Sequence, residues 1–177
     1  VLFGKYWGIA GGFSIIMSTI ALMISQTAEY ALRAMVFLGD HTGERFTADK
    51  LSAATKVPAR YLSKIMQQLV KADLVTSLRG PTGGFGVARA TDEITVLEVV
   101  RAVERSARID ECPLGLEDHG TKLCNLHRLL DTVAMNIEQR FSRVTIAGLL
   151  RTDEGASHPL CGFPRHDFDS SKPVLRR

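Results

Sequence analysis

Thiols and clustered cations are the side chains of this sequence whose chemistry could define a function. The three cysteines, Cys112, Cys124 and Cys161, are an odd number and lack the dense spacing of a secreted disulfide scaffold, which points to a reducing, cytoplasmic setting. Any one of them could equally be a small buried hydrophobe. Covalent or redox catalysis has little to work with: there is no C-x-x-C pair at a helix start, no Gly-rich phosphate loop and no acid–base pair at an informative spacing. A thiol oxidoreductase using Cys112 and Cys124 is therefore the weak alternative; no catalytic residue is assigned, and an enzyme is not expected. The cations point elsewhere. Between Ser25 and Ala90 nine Lys or Arg stand against five Asp or Glu, a concentrated excess in a chain whose net charge is only +3. Such a local surplus is the electrostatic footprint of a nucleic-acid partner.

Positioning those cations requires folded elements, and the composition permits them: 45% hydrophobic and 23% charged residues allow a packed core. Ala28, Ala31, Leu32, Met35, Val36 and Leu38 recur at helical spacing, so a helix is expected from about Ser25 to Gly39. Thr47 is placed to cap a short helix, Ala48 to Thr55, followed by the turn Lys56-Val57-Pro58. Pro58 suits the first turn of the next helix, whose stripe Leu62, Ile65, Met66, Leu69 and Val70 faces inward. Its other face then presents Ala59, Arg60, Tyr61, Ser63 and Lys64. Two helices joined by a tight turn, the second with an exposed polar face, form a helix-turn-helix. Leu74 to Leu78 alternates like a strand, Arg79 to Gly84 is a Gly- and Pro-rich turn, and Phe85 to Ala88 returns. That hairpin is a wing, with Arg79, Gly80, Thr82 and Gly83 at its tip able to approach a phosphate backbone.

Thr95 caps a further helix to about Arg105, periodicity is lost from Ala107 to Leu123, and a long helix follows. Its seam, Leu126, Leu130, Val133, Ile137 and Phe141, repeats at four, three, four and four residues and has no evident partner in a small domain. A second copy would serve, so a homodimer is expected. Thr145 opens a last helical turn, Ile146 to Leu150. The fold class is thus mainly α with a small β-hairpin wing. The organisation expected is a leader over 1–22, a winged helix-turn-helix over 23–106, a cysteine-containing loop over 107–124, a dimerisation helix with the short last helix over 125–151, and a polar tail over 152–177. From Tyr6 to Ala28 no residue is charged, which is reminiscent of a signal peptide or anchor. Glycines interrupt the run and only Lys5 flanks it, so an extraneous or disordered leader is preferred and no membrane partner is expected.

These residues resemble a known family. Met23-Ile24-Ser25 through Tyr30-Ala31-Leu32-Arg33-Ala34, the helix Pro58 to Val70 with Tyr61-Leu62, and above all Leu78-Arg79-Gly80-Pro81-Thr82-Gly83-Gly84-Phe85 are similar to the Rrf-type regulators, the family of IscR and NsrR. The resemblance covers roughly Met23 to Leu150. It implies a homodimer of winged helix-turn-helix subunits crossed at the long helix. Such a dimer binds a palindromic double-stranded DNA operator and controls genes of cluster assembly or of nitrosative or redox stress. It also implies a sensor loop with cysteines at intervals of six residues and, in some members, a histidine three residues after the last. Cys112 and Cys124 match the first and third positions and His127 the histidine, while Asp118, beside His119, occupies the middle one. Glu29 matches a position from which some relatives contribute an acidic ligand across the dimer. Cys112, Cys124, His127 and one of Asp118, His119 or Glu29 could hold an iron–sulfur cluster or a single metal ion. Free thiols without a cofactor, or a Cys112–Cys124 disulfide switch, are the open alternatives. Cys161 lies outside this pattern and is given no role.

Overall fold

The computed structural model describes residues 24–80, 82–113 and 123–151. The expected leader and tail, Pro81, and Asp118, His119 and Cys161 lie outside those residues. Helix α1 (Gln26–Asp40) starts where Ser25 Oγ accepts hydrogen bonds from the Thr27 and Ala28 N–H groups at 3.1 and 3.2 Å. This cap satisfies donors that a helix start otherwise leaves unpaired. Ala28, Ala31, Ala34, Met35 and Leu38 are buried, and small residues on that face let α1 form the centre against which other helices pack.

Helix α2 (Ala48–Thr55) is capped by Thr47 Oγ1 and ends at Lys56, whose φ of 57° turns the chain in the left-handed region. Helix α3 (Ala59–Lys71) follows, with Pro58 as its N-cap at φ −58°. Leu62, Ile65, Met66 and Leu69 are buried on α3. Each is worth about 1.5–3 kcal/mol over an exposed side chain, enough together to fix the rotation of the helix and hence what its other face presents. Strands β1 (Val75–Leu78) and β2 (Gly84–Val87) pair antiparallel, Val75 opposite Val87 and Leu78 opposite Gly84. Phe46 forms an isolated antiparallel bridge to β2, exchanging backbone bonds with Phe85 at 2.9 and 3.0 Å.

Helix α4 (Val96–Val103) opens with a capping box: Thr95 Oγ1 accepts from the Glu98 N–H, and the Glu98 carboxylate accepts from the Thr95 N–H. Helix α5 (Asn125–Arg143) is the longest among the described residues, and Ala134 is its buried residue. Helix α6 (Ile146–Leu150) returns beside the start of α4, where Val96 N–H donates to Val144 O and Ile146 N–H to Ile94 O, both at 2.8 Å. Ile146 is fully buried on α1, so α6 fastens the far end of α5 to the core. Among the described residues, no helix is long and apolar enough to cross a membrane.

Candidate DNA-binding face and thiol–imidazole site

The rotation of α3 leaves Ala59, Arg60, Tyr61, Ser63 and Lys64 exposed on one face. The Arg60 guanidinium lies 4.7 Å from the Tyr61 ring centroid and donates to the Tyr61 hydroxyl at 3.3 Å. Arg60, Tyr61 and Lys64 border an open cleft of about 600 Å³ together with Thr27, Gln68 and Val103. Arg79, Gly80 and Thr82 are exposed in the wing turn. The glycines there have a reason that the sequence reading did not supply. A Cβ on Gly83 would stand 2.4 Å from Leu78 O, and one on Gly84, at φ 147°, would stand 2.7 Å from the Phe46 carbonyl. Gly83 is required by the closure of the turn on Leu78 and Gly84 by the approach of Phe46, before any nucleic acid approaches.

The second site gathers at the start of α5. Cys124 is the N-cap residue of that helix, and His127 stands in its first turn. Cys112 arrives from the segment after α4. His127 Nδ1 lies 3.2 Å from Cys124 Sγ and 3.4 Å from Cys112 Sγ, and the three ligand atoms all fall within 4.8 Å of one another. All three side chains are half-buried. Residues fifteen apart in sequence therefore present two soft sulfurs and an imidazole nitrogen to one point, a donor set suited to transition metals or redox chemistry. Glu29 is not in this group. Its carboxylate accepts from Arg33 Nε at 2.7 Å on its own helix, and Arg33 also reaches Thr55 O.

Sequence reasoning overlooked what holds Cys112 in reach. Arg108 donates to both oxygens of Asp131, at 2.6 and 2.9 Å, and the Ile109 N–H donates to the same carboxylate at 3.0 Å. One turn pair further along α5, Glu138 accepts from Ser106 Oγ and Arg101, each at 2.9 Å. The Arg108 hydrogen bond, helped by the Ile109 N–H, pulls the Asp131 carboxyl down to about 2. Asp131 and Glu138 are seven apart and so share a helix face. That spacing was the available signal. A capping-box pattern at Thr95 to Glu98 was also legible. Burial works to raise the Glu98 carboxyl, but hydrogen bonds from Arg89 and Thr95 leave it lowered overall.

The chain and its fold can be set beside known proteins. A family profile described as Rrf2, iron-dependent transcriptional regulator, matches residues 24–152. The chain belongs to the Rrf2 family. The HTH-type transcriptional regulator NsrR of Geobacillus kaustophilus is 32% identical over 132 residues, covering 73% of this chain and 90% of the relative. The IscR of Erwinia tasmaniensis is 30% identical over 135 residues, covering 75% of this chain and 81% of the relative. Among solved structures, T. potens IscR matches with a TM-score of 0.60 at 26% identity, over 75% of this chain and 88% of that one. CymR, a global cysteine regulator of B. subtilis, shares the fold, with a TM-score of 0.59 at 23% identity over 71% of this chain and 94% of that one. This Rrf2 protein is accordingly a transcription regulator and not an enzyme, as the sequence led us to expect, and winged-helix regulators of this kind bind DNA.

Proposed function

We propose that this Rrf2 protein is a homodimer that reads a palindromic operator with α3 of each subunit, and that the state of Cys112, Cys124 and His127 decides whether it stays bound. The convergence of the three donors at the first turn of α5 carries the reading. Outward from that turn α5 exposes Leu126, Leu129, Leu130 and Val133, at 59%, 61%, 47% and 47%, an apolar stripe suited to a second copy. Occupancy or oxidation at the thiol–imidazole site would pin the segment carrying Cys112 to the same helix that carries the dimer contact. Half-sites on a palindrome lie one helical turn apart, about 34–36 Å, so a small rotation at α5 takes one reading helix out of register. Moving such a regulator from mostly bound to mostly free needs about 5.5 kcal/mol of differential affinity, which metal–thiolate bonds can supply.

The test is fluorescence anisotropy on a selected palindrome and on random DNA, for the parent protein, Cys112→Ser and Cys124→Ser, with and without oxidant, nitric oxide or iron. Each variant is expected to stay in one DNA-binding state under all conditions. Variants that respond like the parent would remove the site from the regulatory role.

A further inference from the structure

Building on the sensor role just proposed, we infer that Cys112, Cys124 and His127 hold one divalent transition-metal ion per subunit, as a tetrahedral two-sulfur, one-nitrogen site with its fourth position open. This departs from the iron–sulfur cluster that the family resemblance implies. With metal–sulfur bonds of about 2.3 Å and metal–nitrogen bonds of about 2.0–2.1 Å, ligands on one tetrahedral ion are separated by about 3.6 Å for S···N and about 3.8 Å for S···S. Here the two S···N separations are 3.4 and 3.2 Å, with all three atoms inside 4.8 Å. The S···N pairs need shifts of a few tenths of an ångström, and the sulfur pair, which lies within 4.8 Å, needs a movement of at most about 1 Å to complete the corner.

A cluster asks for a different arrangement. Each iron of a two-iron cluster already carries two bridging sulfides and, being tetrahedral, accepts two protein donors; each iron of a four-iron cluster accepts one. Three protein donors converging on one point exceed either allowance, whereas a single ion takes all three. Glu29, the other described donor that the resemblance offers, is engaged by Arg33, so recruiting it would break an ion pair and leave a guanidinium beside the metal. Two thiolates and an imidazole select ions such as Zn2+, Fe2+ or Co2+ over Mg2+ or Ca2+. Binding releases the two thiol protons to solvent, while a neutral His127 gives its Nδ1 lone pair and keeps its proton on Nε2. Cys124 brings its negative sulfur to the N-terminal end of α5, where unpaired amides favour negative charge.

Co2+ titration of the full chain under anaerobic conditions tests this. The expected result is saturation at one equivalent per subunit, with a thiolate-to-cobalt band in the near ultraviolet and visible bands of four-coordinate Co2+, all displaced by Zn2+. His127→Ala should weaken Co2+ binding by about tenfold or more, since even an outer-shell partner typically contributes that much. Incubation with ferrous iron and sulfide should leave no acid-labile sulfide after gel filtration. Two irons and two sulfides per subunit, or a titration without the thiolate band, would overturn the proposal. The parent titration needs no variant to fold, and DNA binding measured on the same samples separates the two readings. A cluster together with Cys112→Ser locked on or off DNA leaves the sensor role standing and removes only the single ion.

Discussion

Arg60 is held by its neighbour on the exposed face of α3. Its guanidinium is held over the Tyr61 ring and bonded to the hydroxyl, so part of its rotamer freedom is already lost before contact. If α3 is the reading helix proposed above, a planar fork held near its start suits the two acceptors of a guanine edge. Arg60→Ala is therefore expected to cost about 1–3 kcal/mol on the preferred operator and much less on random DNA, measured as a ratio of affinities at one salt concentration. Equal losses on both would make Arg60 a phosphate contact. Asp131 can be examined as directly. Because its folded carboxyl lies near 2, below the ordinary 3.8, its tether to Arg108 is intact above the ordinary value and is lost as pH falls toward about 2. A carboxyl-carbon titration by NMR should place its midpoint near 2, and Asp131→Asn should speed modification of Cys112 by a thiol reagent at neutral pH. A midpoint near the ordinary value, with unchanged Cys112 reactivity, would mean that the tether does not hold in solution.

The elements differ in how they could be read. Helices α1 to α4 and the hairpin follow from apolar spacing, caps and turn residues, because in each the burying face and the cap lie within a few residues of one another. The wing tip was legible in position and incomplete in cause: Gly83 and Gly84 answer to the backbone of Leu78 and Phe46, and Phe46 is too far along the chain to be inferred as a neighbour. The exposed cation at the tip is Arg79, the wing contact that the proposed reading requires. Arg79→Ala should weaken binding and reduce the salt dependence by about one unit of log–log slope, measured by anisotropy across a salt series. Unchanged affinity and slope would take the wing out of the interface. The thiol–imidazole site was legible through the family resemblance, which matched Cys112, Cys124 and His127 to its cysteine and histidine positions. Its tethers were legible only in part: the seven-residue spacing puts Asp131 and Glu138 on one helix face, but their partners Arg108 and Ser106 are long-range neighbours that no periodicity announces.

Across the whole molecule, the seam read from α5 divides into two parts. Ile137 and Phe141 line a groove toward Leu97 and Val100 of α4 within the same subunit, whereas Leu126, Leu130 and Val133, joined by Leu129, face outward. One helix thus carries the thiol–imidazole site at its first turn, an uncovered apolar stripe over its first half and an attachment to its own core over the second. In a twofold dimer the same patch meets itself, so a charge introduced there is repeated across the interface. Leu130→Asp would bring two carboxylates into an apolar contact and remove burial worth about 1.5–3 kcal/mol per side chain. The expected outcome is a monomer by sedimentation whose helical content and melting are near those of the parent subunit, with operator affinity reduced to the level of random DNA. Ile137→Asp is the contrasting variant: its side chain lines the groove against α4, so it should lower the melting temperature of the subunit itself. If Leu130→Asp stays dimeric and Ile137→Asp alone dissociates the protein, the contact between copies runs through the α4 side of α5 and not through the exposed stripe.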